Sequence, residues 1–145
     1  MKERIAIFPG SFNPFTIGHL SILRRGLRMF DRVVVVVGRN VDKPTCEGAD
    51  LQTLAEKLSK EGNVEVIQWS GLTVDAARQV GADWILRGVR SVADYEYELQ
   101  MADINRRIAG IDTVLLTAEP ELSSISSSMV RELNAFGYNT DEYVI

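Results

Sequence analysis

Five consecutive valines, residues 33–37, constrain the fold of this chain more than any other segment. In an extended strand successive side chains point to opposite faces, so a run without polar alternation needs apolar cover on both faces. Strands of this kind are typical of parallel sheets with helices on each side. The run is also far shorter than the roughly 20 apolar residues that span a bilayer as a helix.

Four further β-rich runs, at residues 5–8, 64–69, 84–86 and 113–116, alternate with stretches of helical spacing. Leu20, Leu23, Leu27 and Phe30, for example, recur three or four residues apart, which indicates one apolar helix face. This alternation predicts an α/β fold, a Rossmann-like doubly wound five-stranded parallel sheet with helices on both faces. Binding sites in such sheets gather at the carboxyl ends of the strands.

Length and composition describe a single domain spanning residues 1–145, with 46% hydrophobic and 25% charged residues. The formal net charge of −4 argues against nucleic acid as an electrostatically bound partner. The single cysteine, Cys46, excludes an internal disulfide framework, and the single histidine, His19, excludes mechanisms that need two imidazoles from one chain. With no visible signal peptide and no membrane span, we expect a cytoplasmic protein.

The segment after the first strand, residues 9–19, reads Pro-Gly-Ser-Phe-Asn-Pro-Phe-Thr-Ile-Gly-His. It has neither a Gly-x-Gly-x-x-Gly fingerprint nor a Walker A motif, since Gly-Lys-Ser/Thr occurs nowhere in the chain. Gly10 would let the backbone approach a ligand, and Ser11 offers a hydroxyl. His19 is expected in the first turn of the next helix, where free amides favour an anion. The alternative is a Gly/Pro turn with His19 as a partly buried structural residue.

A second block, residues 84–98, follows the fourth predicted strand. Arg87 and Arg90 flank Gly88, and two permanently charged guanidiniums at a strand end suit phosphate binding. The alternative is that the arginines pair with the acidic residues that follow them, Asp94, Glu96 and Glu98. Both interpretations can hold together.

A third block, residues 125–131, reads Ile-Ser-Ser-Ser-Met-Val-Arg. Serine hydroxyls and free amides at a helix start form an anion cradle, although ordinary N-capping accounts for any one serine. We expect the last helix to begin within residues 126–128 and residues 139–145 to fray.

These blocks resemble three signatures of the nucleotidylyltransferase superfamily, in the same order and on the same elements. The Thr-x-Gly-His form that begins at Thr16 is similar to that of the phosphopantetheine adenylyltransferase family. The resemblance implies transfer of the adenylyl group of ATP to 4′-phosphopantetheine, which gives dephospho-CoA and pyrophosphate by direct in-line attack. It also implies Mg²⁺ bound mainly through ATP, no metal site on the protein, and a homohexamer.

The resemblance assigns roles to individual positions. The catalytic residues would be His19, as transition-state stabiliser, with Lys43 and Arg90. The ATP-binding residues would be Ser11, Phe12, His19, Gly88, Val89, Arg90, Glu98, Leu122, Ser123, Ser124, Ile125, Ser126, Ser127 and Ser128. The substrate-binding residues would be Ser11, Lys43, Leu72, Thr73 and Arg87. From pattern alone Leu72 is expected in the core, and Lys43 is an ordinary surface lysine.

Three other functions compete with this one. The nearest is a nucleotidyltransferase of the same superfamily that uses nicotinamide mononucleotide or a phosphorylated alcohol as acceptor. A catalytically silent nucleotide-binding module would bind ATP without turnover. A scaffold role has the least support, because the polar residues cluster after strands.

Overall fold

Strands and helices alternate along the computed structural model, which describes residues 2–38 and 48–145. Lys43 and Cys46 lie outside the described residues. The strands are β1 (Ile5–Gly10), β2 (Arg32–Gly38), β3 (Val64–Trp69), β4 (Trp84–Val89) and β5 (Asp112–Thr117). The helices are α1 (Ile17–Leu27), α2 (Gly48–Leu58), α3 (Thr73–Val80), α4 (Val92–Ala109) and α5 (Ser127–Ala135). Short 3₁₀ turns span Ser59–Glu61, Pro120–Leu122 and Asp141–Tyr143.

The five strands form one parallel sheet in the order β3-β2-β1-β4-β5. The order reverses between β1 and β4, so the switch point where ligands bind in such sheets lies at the carboxyl ends of these two strands. The predicted Rossmann-like fold is confirmed.

The valine run is covered on both faces, as predicted. Val33, Val35 and Val37 belong to a core cluster with side chains of α1 and α2, whereas Val34 and Val36 pack with side chains of α3 on the opposite face. All five are at most 3% exposed. One strand therefore joins both halves of the core.

The observed strands extend beyond most of the apolar runs that predicted them. Pairing of β1 with β2 continues through Pro9 and Gly10, and β4 pairs with β5 as far as Val89. The sheet ladder needs only main-chain groups, so it continues after the apolar side chains stop. As a result Arg87 and Gly88 lie on β4 itself, at the edge where the switch point is.

Helix α4 begins after Ser91, whose hydroxyl accepts from the Asp94 amide at 3.2 Å, and ends before the C-cap residue Gly110, which has a left-handed φ of 68°. Across the residues that the structure describes, no helix combines the length and apolar character needed to cross a membrane.

Residues 139–145 do not fray, contrary to expectation. Thr140 is 4% exposed and its hydroxyl donates to Asn134 Oδ1 at 2.7 Å. Val144 forms an isolated antiparallel bridge with Thr16, and Ile145 packs against the core cluster on the α1 face. These contacts carry no sequence periodicity, which is why the pattern did not predict them.

Candidate active site at the carboxyl edge of the sheet

Two cavities lie beside the switch point. The first has a volume of about 330 Å³ and lies between β1, α1, β4 and the segment before α5. Its lining comprises Phe8, Pro9, Gly10, Phe12, Thr16, Gly18, His19, Ile22, Arg87, Gly88, Val89, Arg90, Asp94, Tyr97, Glu98, Ala118, Leu122 and Ile125.

The second cavity, of about 420 Å³, lies on the other face of the sheet, between the strands and helices α3 and α4. Its walls are mainly apolar, with Trp69, Val36, Ile85 and Met101, and its polar side chains include Thr73, Asn105 and Thr113. The Thr113 hydroxyl is buried and has no hydrogen-bond partner among the residues that the structure describes. The two cavities share the wall residues Pro9, Gly10, Arg87, Tyr97 and Glu98.

His19 is held by the start of its own helix. Thr16 is the N-cap of α1, and its side chain accepts from the His19 amide at 3.3 Å. In return the Thr16 amide donates to His19 Nδ1 at 2.9 Å, which completes a capping box with histidine in the place usually taken by Glu or Gln. Since Nδ1 is the acceptor, the ring proton of the neutral imidazole is on Nε2, which is left to donate to a ligand.

Three phenylalanines surround this imidazole. The ring centroids of Phe12, Phe15 and Phe8 lie 5.0, 5.2 and 6.4 Å from that of His19. Burial, followed by the positive charges of Arg87 and Arg90, lowers the pKa of His19 from 6.5 to about 4. The imidazole is therefore a neutral hydrogen-bond donor at physiological pH.

Gly10 and Phe12 shape the turn that precedes His19. Phe12 has a φ of 47°, in the left-handed region that a residue with a side chain rarely adopts, and it is only 3% exposed. A Cβ on Gly10 would lie 2.9–3.1 Å from three atoms of the Phe12 ring. Glycine at this position therefore lets the ring pack over the strand end and against the imidazole. The Asn13–Pro14 peptide bond that follows is cis.

Arg87 and Glu98 form a paired wall between the two cavities. Arg87 Nε donates to both carboxylate oxygens at 3.0 and 3.1 Å, and Nη2 donates to Oε1 at 2.6 Å. Nη1 donates to the Pro9 carbonyl at 2.5 Å. Glu98 is only 6% exposed, so its negative charge depends on this pairing.

Arg90 is less constrained. Its Nε lies 3.6 Å from Asp94 Oδ2, and its side chain is 43% exposed. The same Asp94 oxygen accepts from the Arg90 amide at 3.1 Å. The expectation that acidic residues pair with both arginines is thus met by Glu98 and Asp94, while both guanidiniums still line the first cavity.

The serines at the start of α5 form hydrogen bonds with two different parts of the chain. Ser126 is the N-cap, accepting from the Met129 amide at 3.1 Å, and its oxygen lies 3.3 Å from that of Ser128. Ser127 instead donates to the Pro14 carbonyl at 2.6 Å. Helix α5 begins within residues 126–128, as predicted, and its first turn is fastened to the loop that leads to His19.

The structure brings together residues from all three sequence blocks. Those that line the first cavity are Phe12, His19, Arg87, Gly88, Val89, Arg90, Glu98, Leu122 and Ile125, and Thr73 lines the second. The candidates outside both linings are Ser11, Leu72, Ser123, Ser124, Ser126, Ser127 and Ser128. Leu72 is 58% exposed rather than in the core, because it is the N-cap residue that precedes α3.

Sequence reasoning missed several lining residues. Thr16 is singled out by the sequence only as part of a motif. A threonine three residues before a side chain that can accept a hydrogen bond, here His19, is nevertheless a capping pattern. Asn105 follows Glu98 by seven residues, a spacing that puts both on one face of α4. Tyr97, which lines both cavities, gave no such indication.

Known proteins match this chain over most of its length. The profile of the cytidylyltransferase-like family matches residues 7–133. A phosphopantetheine adenylyltransferase of Porphyromonas gingivalis is 46% identical over 99% of this chain and 95% of its own. The enzyme of that name from Bacteroides fragilis is 48% identical over 95% of this chain and 92% of its own.

Solved structures share the fold at low identity. A bifunctional NMN adenylyltransferase/ADP ribose pyrophosphatase of Francisella tularensis superposes with a TM-score of 0.69 at 16% identity, covering 99% of this chain and 45% of that one. A lipopolysaccharide core biosynthesis protein of Thermoplasma volcanium gives 0.57 at 20% identity, covering 81% and 98%. At this level of identity the likeness shows the architecture alone.

Proposed function

The chain belongs to the phosphopantetheine adenylyltransferases, within the cytidylyltransferase-like family, and we propose that it transfers the adenylyl group of ATP to 4′-phosphopantetheine. The products are dephospho-CoA and pyrophosphate, in the penultimate step of coenzyme A biosynthesis. The observation that carries the proposal is the pair of cavities that meet at Arg87 and Glu98, one beside a neutral histidine donor and one of about 420 Å³ with mainly apolar walls.

The chemistry is a direct in-line displacement. A phosphate oxygen of the acceptor forms a bond to the α-phosphorus of ATP, and the bond from that phosphorus to the bridging oxygen of the β-phosphate breaks. Pyrophosphate leaves with the electron pair. Because the attacking oxygen is already anionic, the protein has to position the groups and stabilise charge rather than remove a proton.

His19 is assigned to stabilise the charge that develops at the α-phosphate. Its Nδ1 is occupied by the Thr16 amide, so Nε2–H is the group that can donate into the first cavity. A donor fixed in advance by a capping box loses little freedom when the transition state forms. The lowered pKa keeps the ring neutral, so Nε2–H donates without releasing its proton.

In this proposal, different cationic side chains bind the phosphates of the two substrates. Arg90, with an exposed guanidinium at the mouth of the first cavity, is assigned to the ATP phosphates. Arg87 faces both cavities and is assigned to the acceptor phosphate, together with Ser11 and Lys43. The remaining nucleotide contacts are assigned to Phe12, Gly88, Val89, Glu98 and the residues 122–128.

The second cavity is assigned to the pantetheine arm. An elongated chain with two amides needs apolar walls with a few hydrogen-bonding groups, and Trp69, Met101, Asn105 and Thr113 supply both kinds. Thr73 lies in the same lining, and the neighbouring Leu72, which is exposed and outside the lining, is assigned to the acceptor as well.

Mg²⁺ belongs to the proposal as an ion carried by the triphosphate. The carboxylates that line the first cavity already have partners on the protein: Asp94 Oδ2 accepts from the Arg90 amide, and both oxygens of Glu98 accept from Arg87. Oxygen ligands from substrate phosphates are the usual way in which Mg²⁺ is held in such sites. When bound, the ion neutralises phosphate charge.

A homohexamer and a cytoplasmic location complete the proposal. Helix α4 exposes apolar side chains that favour self-association: Val92, Tyr95, Tyr97, Leu99, Ile104 and Ile108. Sedimentation velocity tests the assembly, and a monomer at micromolar concentration would contradict it. The location follows from the donor, since ATP is supplied in the cytoplasm.

Acceptor-dependent release of pyrophosphate from ATP tests the reaction. We expect turnover with 4′-phosphopantetheine and none above background with nicotinamide mononucleotide or a phosphorylated alcohol. Turnover with nicotinamide mononucleotide alone would favour the competing nucleotidyltransferase. ATP binding by calorimetry without turnover on any acceptor would favour a silent nucleotide-binding module.

A further inference from the structure

The turn that leads to His19 is held from outside by the last fifth of the chain. Arg131 Nη1 donates to the Asn13 carbonyl at 2.5 Å, and Ser127 Oγ donates to the Pro14 carbonyl at 2.6 Å. Val144 then pairs with Thr16 in an antiparallel bridge. Three residues distant in sequence thus contact three residues of one short turn.

This turn has little regular structure of its own. It contains Phe12 in the left-handed region and ends at Thr16, the N-cap of α1. A backbone in a sparsely populated conformation persists only where its surroundings determine it. The bridge to Val144 is a contact from outside the turn on Thr16, the residue that itself holds the His19 ring.

The segment that supplies this bridge is itself anchored at both sides. Thr140 is buried and bonded to Asn134, as described above. Lys57 Nζ donates to the Ile145 main-chain oxygen at 2.9 Å, which connects the segment to α2. Ile145 also packs against the core cluster that contains Phe12 and Phe15. The segment therefore has a fixed position of its own, from which the bridge can hold Thr16 in place.

We propose that Val144 and Ile145 are positioning residues for catalysis, which act through Thr16 to hold the His19 imidazole in place. The proposal rests on the function proposed above, since His19 matters only if it donates to a reacting phosphate. Neither residue lines the first cavity, so neither touches the nucleotide there. A displaced donor lowers the rate of the chemical step, and a misplacement of about 1 Å can cost about a hundredfold.

The test is a comparison of variants of the full chain. Val144→Pro combined with Ile145→Asp removes the Val144 amide, forces a φ of −119° toward that of proline and places a charge against the core cluster. Lys57→Met keeps the aliphatic stem and removes only the bond to Ile145. Phe136→Ser is the matched control, because Phe136 lies nearby in sequence but is 84% exposed.

Two readouts separate positioning from general destabilisation. In the double variant we expect kcat to fall about tenfold while the KM for ATP stays within about twofold of the wild-type value. In ¹⁵N NMR of histidine-labelled protein, the single imidazole should lose its pure Nε2–H pattern, because Nδ1 no longer has a fixed donor. Lys57→Met should change both readouts in the same direction, by about threefold in kcat, and Phe136→Ser should change neither.

A double variant with wild-type kcat and an unchanged imidazole spectrum would overturn the proposal. A rise in the KM for ATP with an unchanged kcat would overturn it as well, since that pattern indicates weaker binding of ATP. Absence of turnover in the wild-type protein itself would instead contradict the proposed function, and the NMR comparison would still decide whether the segment holds the ring.

Discussion

The main-chain amide of Thr16 donates to Nδ1 of His19 at 2.9 Å, so the conformation of one residue determines which nitrogen of the other carries the proton. The only histidine of the chain is thus also the partner in its own helix cap. Every histidine imidazole signal in an NMR spectrum therefore comes from His19, so no resonance assignment is needed.

We expect the His19 ring to titrate at a pKa of about 4, because burial and the charges of Arg87 and Arg90 disfavour the cation. Between pH 5.5 and 8 the ring should remain the neutral Nε2–H tautomer. Histidine ¹⁵N shifts measured against pH check this, and titration near the ordinary value of 6.5 would contradict the buried geometry.

Stability should depend on pH through the same group. The folded-state pKa lies below the unfolded one, so the unfolded chain takes up a proton as pH falls below 6.5 while the folded chain does not. We expect this difference to cost about 2 kcal/mol by pH 5. His19→Gln removes the titration and keeps a residue that can complete the capping box. Urea unfolding at several pH values should show a steeper acid loss in the wild type, and parallel curves would argue against the linkage.

Loss of the imidazole donor should affect the chemical step. We expect His19→Ala to lower kcat by at least about a hundredfold, as for removal of one transition-state donor. Pyrophosphate release under saturating substrates measures this, and circular dichroism controls for folding. Near-normal turnover would remove His19 from the mechanism.

The Arg87–Glu98 pair should behave as a unit. Arg87→Met leaves a carboxylate that is only 6% exposed without its partner and should cost about 3–5 kcal/mol of unfolding free energy. Adding Glu98→Gln to that variant should restore part of the loss, since no buried charge is then left unpaired. Chemical denaturation of both single variants and the double variant checks this, and strictly additive losses would show that the pair is not coupled.

The absence of a side chain at Gly10 should be essential for close packing of the Phe12 ring. Gly10→Ala would bring Cβ within 2.9 Å of the rigid Phe12 ring, and we expect it to cost about 1–3 kcal/mol and to lower kcat. Gly38→Ala is the matched control, because its nearest neighbour across the ladder, the Gly10 carbonyl, would be 3.7 Å away. Thermal unfolding compares the two, and equal melting temperatures would contradict close packing at Gly10.

Much of this fold and part of the site could be predicted from the sequence. The unbroken valines require cover on both faces, which implies a parallel sheet and hence a site at the strand ends. His19, Arg87 and Arg90 line one cavity at that edge: Arg87 lies on β4, Arg90 directly follows it, and His19 lies in the first turn of α1, as the motif order predicts. Patterns of this kind depend on local periodicity and on chain order.

The remaining contacts depend on side-chain choices that periodicity does not encode. Arg87 had three acidic residues within reach in sequence, and only the helical face of α4 decides that Glu98 is its partner. The bridge from Val144 to Thr16 joins segments at opposite ends of the chain. Lys43 lies outside the described residues, so its assignment to a phosphate stays a prediction.

The fastening of α5 to the first loop has a consequence for folding. Ser127 and Pro14 are 113 residues apart, and Arg87 and Pro9 are 78 apart, so the site closes only after most of the chain has folded. Closing such long loops costs entropy before any contact compensates for it. A ligand of the first cavity therefore binds the complete fold and no partial one. Its binding free energy stabilises the whole cooperative unit, from the first strand to the last residues.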